Sequence, residues 1–173
     1  MTSAVSIETS RLILRTVTMA DLDSVASSWE LDKGPIPLPE AEQKINSMLS
    51  NHAQNVPGKI VHICLAIISK VTNEFIGWCG LDHTDRSDTD PALFYLLKET
   101  YWGKGLATEA AGALLNVAFT QLELPSIHGG AAPENLASKR VMKKLGMKYK
   151  GLDKEGGYSF SITRDEYLSI NEK

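Results

Sequence analysis

Tyr101-Trp102-Gly103-Lys104-Gly105-Leu106-Ala107-Thr108-Glu109-Ala110 decides the fold of this chain, because it joins a strand to a helix through two glycines. Upstream, Pro91 to Leu97 is a short apolar run of strand type, and downstream Leu106 to Leu122 has helical periodicity. The first N–H groups of such a helix have no intrahelical partners, and glycine lets the backbone take positive φ and approach a ligand closely. Together with the helix dipole these groups make the turn an anion site, to which Lys104 adds a cation. Thr108 stands three residues after Gly105, so the dinucleotide pattern G-x-G-x-x-G fails, and no G-K-[ST] closes a triphosphate loop. Taken alone, these residues also fit a turn that merely packs.

Outward from that turn, strand and helix signals alternate without a repeat or a low-complexity segment. Leu12, Leu14 and Thr16 alternate with Ile13, Arg15 and Val17 as a first strand, and Met19 to Leu31 reads as a helix with Thr18 as its N-cap. Pro35, Pro37 and Pro39 interrupt the chain before a second helix over Glu40 to Asn51. Ile60 to Ile68 and Phe75 to Leu81 read as a hairpin around Lys70-Val71-Thr72-Asn73-Glu74. The helix from Leu106 has a polar stripe of Glu109, Gly112, Asn116, Thr120 and Glu123 and is otherwise apolar, which predicts that it is largely buried. Ser126 to Ala132 is a fifth strand, Pro133 opens a helix that Gly146 closes, and Met147 to Gly151 and Tyr158 to Ile162 are the last strands. The pattern is that of a mixed α/β (α+β) sheet flanked by helices.

Composition narrows the class. At 173 residues the chain fits one domain, residues 1–173, and 18 basic against 21 acidic residues give a net charge of -3, without the basic footprint of a nucleic-acid binder. No apolar run has the length of a membrane span, and Met1 to Glu8 lacks the regions of a signal peptide, so a cytoplasmic protein with no membrane partner is expected. Cys64 and Cys79 lie in apolar strand-like runs and read as buried thiols. His52, His62, His83 and His128 form no ligand pair at helical spacing, so no metal is implied.

Trp102-Gly103-Lys104-Gly105-Leu106-Ala107 resembles the acetyl-CoA loop of the GNAT acetyltransferases, [QR]-x-x-G-x-[GA]. Trp102 in place of Gln or Arg is similar to the RimJ/RimL-like branch of ribosomal-protein N-terminal acetyltransferases, with its W-G-x-G-x-A-T-E-A. Thr9-Ser10-Arg11-Leu12-Ile13-Leu14-Arg15 resembles that branch's T-x-R-L-x-L-R, and the run from Asn135 to Met147 resembles its N-x-x-S-x-R-V-x-x-K-x-G-[FM]. The resemblance spans about Ile7 to Tyr167 and is weakest between Trp29 and Lys59. It implies a GNAT-like, mostly antiparallel sheet splayed between the fourth and fifth strands read above, Pro91 to Leu97 and Ser126 to Ala132.

The resemblance also implies roles. Acetyl-CoA would be the cosubstrate, held by Leu97, Trp102, Gly103, Lys104, Gly105, Leu106, Ala107, Thr108, Asn135, Ser138 and Lys139. A backbone N–H near Leu96 would polarise the thioester carbonyl, and Ser138 would protonate the departing thiolate, a fair leaving group if its pKa is near the ~8.5 of a free cysteine. Asn135 as a helix cap and Ser138 as an ordinary helical serine remain the alternative. Lys139, Arg140, Lys143 and Lys144 either complement a helix C-terminus or, at Lys139, reach the cofactor's phosphates.

There is one departure. The branch commonly reads E-L-G-Y-W-L where this chain has Ala92-Leu93-Phe94-Tyr95-Leu96-Leu97, so its usual acid and glycine are gone. His83 and nearby aspartates are the local substitutes, and an acceptor of low amine pKa deprotonated through water is expected. The stretch carrying Asp82, Asp85, Asp88 and Asp90 is either a solvated loop or an attractor of ammonium substrates. The resulting expectation is an acetyl-CoA-dependent N-acetyltransferase, monomeric or homodimeric. It would acetylate a protein N-terminus or small amine by direct attack in a ternary complex, since neither cysteine lies near the motifs. A non-catalytic acyl-CoA-binding sensor is the alternative, followed by a plain α/β binding domain.

Overall fold

The computed structural model describes residues 4–83 and 90–172 of the chain. Within them one sheet is formed by β1 (Ser6–Glu8), β2 (Leu12–Arg15), β3 (His62–Ser69), β4 (Phe75–Asp82), β5 (Ala92–Leu97), β6 (Ser126–Ala131), β7 (Lys148–Leu152) and β8 (Tyr158–Thr163). The strands lie in the order β1-β2-β3-β4-β5-β6-β8-β7, antiparallel except for the β5–β6 pair. The helices are α1 (Leu22–Ser28), α2 (Leu38–Ala53), α3 (Leu106–Thr120), α4 (Leu136–Lys144) and α5 (Arg164–Asn171). This is the mixed, mostly antiparallel α/β architecture that the sequence predicts.

Period-two alternation sorts the side chains into two layers. On β3, Ile63, Leu65 and Ile67 join the larger core with Leu114, Phe119 and Phe160, under α3 and α5. Cys64 and Ala66 point to the other face, where Trp78 of β4 packs with Val25, Ile45 and Met48 of α1 and α2. The helix α3 is buried through Ala110, Ala111, Leu114, Leu115 and Ala118, as its narrow polar stripe requires.

The β5–β6 register stops early. Only Ala92↔His128 and Leu93↔Gly129 are paired, so the sheet opens from Phe94 to Leu97. That opening is the expected splay, and it faces the start of α3.

Several boundaries differ from the sequence reading. A short β1 precedes β2, and Thr16 and Val17 fall outside the strand. Thr18 is an N-cap as expected, but of a 3-10 turn (Met19–Asp21) whose Asp21 completes a capping box, and α1 ends at Ser28 rather than Leu31. The serine-rich segment is a weak helix former, and Leu31 takes a left-handed φ of 51°, which breaks the helix. The helix α4 starts at Leu136 rather than Pro133 because the Asn135 side chain caps it. Gly146, at φ 80°, closes α4, with Met147 N–H donating to Met142 O and Gly146 N–H to Lys143 O. The last helix, α5, was not anticipated. Its signal is the reciprocal Thr163–Glu166 capping box.

Candidate active site

Gly103 and Gly105 both sit at positive φ, 73° and 76°, the left-handed backbone that glycine adopts without penalty. The left-handed Gly105 is the N-cap of α3 and brings no side chain to its first N–H groups. Among the described residues, the N–H groups of residues 103–108 donate to no protein acceptor, and the first bond of the helix is Glu109 N–H to Gly105 O. Six backbone donors and the positive end of α3 are thus left without protein partners at one turn, an arrangement that favours an anion.

That turn is tied down from β2. Arg11 donates from Nε to Glu109 Oε2 (2.6 Å) and from Nη1 to the Lys104 carbonyl (2.9 Å), while its backbone N–H meets Glu109 Oε1. Thr9 and Ser10 hydroxyls donate to the same carboxylate oxygen at 2.5 and 3.2 Å. Partial burial raises the Glu109 pKa, but these donors outweigh it and hold the carboxyl below its usual range. Two separate sequence motifs are therefore one physical unit. Lys104 itself is folded back, its ammonium on the Thr100 carbonyl (3.0 Å) and over the Tyr101 ring.

Strand parity decides which β5 groups face the opening. Lys98 N–H donates to Ile76 O of β4, and antiparallel alternation puts the Leu96 N–H on that same edge. The N–H groups of Tyr95 and Leu97 point the other way, into the gap. The Leu96 N–H is thus spent on the ladder, so the expectation of a backbone donor near Leu96 falls to Tyr95 or Leu97. Trp102, 60% exposed, donates its indole N–H to the Leu97 carbonyl at 2.7 Å, which ties the glycine turn to the opened edge.

Across the gap, Asn135 Oδ1 accepts the Ser138 N–H (3.0 Å), so the cap reading of Asn135 describes its oxygen while its amide nitrogen remains for a ligand. The Tyr95 hydroxyl is buried without a partner of hydrogen-bond geometry. Burial raises its pKa, and the nearby Ser138 hydroxyl pulls in the opposite direction, which places the two hydroxyls side by side. Lys139 Nζ lies 3.9 Å from the centroid of the Tyr158 ring. Tyr95 was not singled out from sequence, since a tyrosine in an apolar strand reads as core.

The α1–α2 face carries a cavity of about 590 Å³ that reaches Leu96, Leu97 and Trp102 from below the sheet opening. Its walls are Trp29, Trp78, Phe94, Cys64, His62 and Asp82. A second hollow of about 860 Å³ adjoins it through Trp29 and His62 and runs along α2 past Glu40, Lys44 and Asn51. Burial pushes the Cys64 thiol up to about 12 and the Cys79 thiol upward as well, so neither is a nucleophile. His83 turns Nδ1 to the Ile60 carbonyl (3.4 Å) and is absent from these walls. Asp85 and Asp88 lie outside the described residues.

The model of the GNAT acetyltransferase domain matches residues 11–148, and the chain belongs to that family. It is an N-acetyltransferase by family. An uncharacterized N-acetyltransferase, p20, of Bacillus licheniformis is 30% identical over 173 residues, covering 92% of this chain and 96% of its own. The structure of a ribosomal-protein-S5-alanine acetyltransferase from Vibrio fischeri superposes with a TM-score of 0.78 at 20% identity, over 94% of this chain and 98% of that one. RimL, a ribosomal L7/L12 alpha-N-protein acetyltransferase solved in complex with coenzyme A, gives a TM-score of 0.75 at 15% identity, over 94% and 99%. At these identities the last two likenesses are of fold.

Proposed function

We propose that this acetyltransferase moves the acetyl group of acetyl-CoA directly to a primary amine, with both substrates bound on opposite sides of the opened sheet. The observation that carries the reading is the meeting, at Leu96–Leu97–Trp102, of an unpaired β5 edge with the floor of the α1–α2 cavity. The pyrophosphate would sit on the N–H groups of Gly103 to Thr108, with Leu106 and Ala107 in the first turn of α3. The amide-bearing pantetheine arm would pair with β5 as a short added strand, using Tyr95 and Leu97 N–H and the Asn135 amide. Lys104 and Lys139 would swing to the phosphates. One β5 N–H would stabilise the oxyanion, and Ser138 would give its proton to the thiolate.

An amine entering from α1–α2 then attacks the thioester carbon without a covalent enzyme intermediate, since both thiols are buried and protonated. Fold likeness to ribosomal-protein acetyltransferases supports a peptide N-terminus as acceptor, and the combined hollow of the two cavities has room for one. The test is thiol release from acetyl-CoA with a panel of Ala-, Ser- and Met-initiated peptides, amino acids and polyamines. Release with at least one amine supports the proposal. Tight CoA binding without release from any amine would make the protein an acyl-CoA sensor instead.

A further inference from the structure

Ala92 lacks the carboxylate found at this point in the E-L-G-Y-W-L pattern, and the strand register shows what stands beside it. Asp82 is the direct partner of Ala92 across β4–β5, and His62 is the partner of Asp82 across β3–β4. The three share one row on the cavity face. Opposed residues have Cβ atoms about 4.5–5.5 Å apart, so the Asp82 carboxylate reaches the space that a longer side chain at Ala92 would occupy. His62 Nδ1 lies 3.4 Å from Asp82 Oδ1, and its ring stacks on Phe94 at 5.8 Å with an interplanar angle of 18°. With Nδ1–H donated to Asp82, Nε2 is the basic nitrogen left for the cavity. A 3.4 Å contact is long, as catalytic hydrogen bonds often are before substrate binds.

We infer that His62 is the general base of the acetyl transfer and that Asp82 is the positioning residue that sets its tautomer. This rests on the N-acetyltransferase reading of the same cavity. The substrate ammonium gives one proton to His62 Nε2, and the freed lone pair forms the C–N bond. The C–S bond breaks, the thiolate takes a proton from Ser138, the second proton lost by the attacking nitrogen restores the Ser138 hydroxyl as the amide forms, and His62 returns its own proton to water through the open cavity. The net change is one amide, one thiol and one proton released. Other titratable or charged groups face His62 from its surroundings: His52 and Glu40 and Lys44 of α2, Cys64 of β3, and Glu30 and Lys33 after α1. None stands in the strand row with Ala92, whereas Asp82 does. His128, beyond Ala92 on β6, is in the row but outside the cavity walls.

The experiment compares kcat/KM against pH for two peptides or amines from the panel whose amine pKa values differ by more than one unit. A base on the enzyme gives wild type the same ascending limb with both acceptors. His62→Gln should lower kcat/KM about 100-fold or more near neutral pH and make the remaining limb follow each acceptor's own pKa. Asp82→Asn should shift the limb and lower the rate less, and His62→Gln with Ala92→Glu should restore an acceptor-independent limb. CoA affinity, read by calorimetry, should stay at the wild-type value throughout. A wild-type limb that moves with the acceptor, or one that persists in a CoA-binding His62→Gln protein, overturns the assignment. The wild-type comparison needs no variant, so misfolding of one cannot decide the matter. Absence of transfer to any amine by wild type would overturn this base and the proposed function together, whereas a moving limb overturns only the base.

Discussion

The Tyr95 hydroxyl, buried at the mouth of the opened sheet beside Ser138, is a polar group without the partner that burial ordinarily demands. Two adjacent hydroxyls there suit proton delivery to a sulfur, Ser138 donating and Tyr95 orienting it. Ser138→Ala should therefore lower kcat by about tenfold or more while leaving the apparent affinity for acetyl-CoA nearly unchanged, because a donor to a developing thiolate acts mainly in the transition state. Tyr95→Phe should lower kcat less. Steady-state kinetics decides this, and wild-type turnover in Ser138→Ala would return the serine to an ordinary helical role. At this scale the sequence showed residue types but not their neighbours. Asn135 and Ser138 were legible because they lie three apart on one helix. The His62–Asp82–Ala92 row was not, because it needs the β3–β4 register, and that hairpin carries an irregularity at Ile67/Ile68 that sequence spacing does not reveal.

The clamp between the β1–β2 turn and α3 explains why a strand motif and a helix motif occur together. Glu109 gathers Thr9, Ser10 and Arg11, and Arg11 then holds the Lys104 carbonyl, fixing the turn whose N–H groups the proposed function assigns to the pyrophosphate. Arg11→Lys keeps the charge but loses the forked geometry, and Glu109→Gln keeps the shape but loses the ion pair. Each should weaken CoA binding several-fold with only a small loss in Tm, since the pair is partly exposed and worth about 1 kcal/mol or less to folding. Isothermal titration alongside thermal melting separates the two effects. Unchanged affinity in both variants would make the clamp purely structural. The glycine turn itself was readable from two residues and their flanks, but its anchor was not, because it joins positions 98 residues apart.

Across the whole molecule, α2 is fastened to the sheet by His52, whose Nε2 accepts the Cys64 N–H at 3.0 Å. Burial, with the nearby charge of His62, lowers the His52 pKa from 6.5 to about 4. The unfolded chain therefore binds this proton at a pH where the native protein does not. Native stability from this group is complete above about pH 6.5 and is lost as pH falls toward 4, a change on the order of 2–3 kcal/mol. Denaturant melts of wild type should weaken between pH 6.5 and 5, and those of His52→Gln should be flatter. An equal slope in both would show that His52 is not the titrating group. The overall architecture was legible because each strand and buried helix announces its period, and the GNAT motifs fall at its turns. The broken α1 and the missed α5 were hidden by weak propensity and by short length.

Calorimetric titration of CoA into wild type and Gly105→Val tests whether the turn from Gly103 to Thr108 holds the pyrophosphate of acetyl-CoA, as proposed. Gly105 sits at φ 76°, where a β-branched residue is strained by roughly 1–2 kcal/mol and must turn the N–H groups to relax. An added Cβ meets only Arg11 Nη2, at 3.6 Å, so the fold tolerates the volume. The folded variant should bind CoA at least tenfold more weakly than wild type, a loss larger than its loss of folding stability. Wild-type affinity in a folded Gly105→Val protein would contradict the proposal.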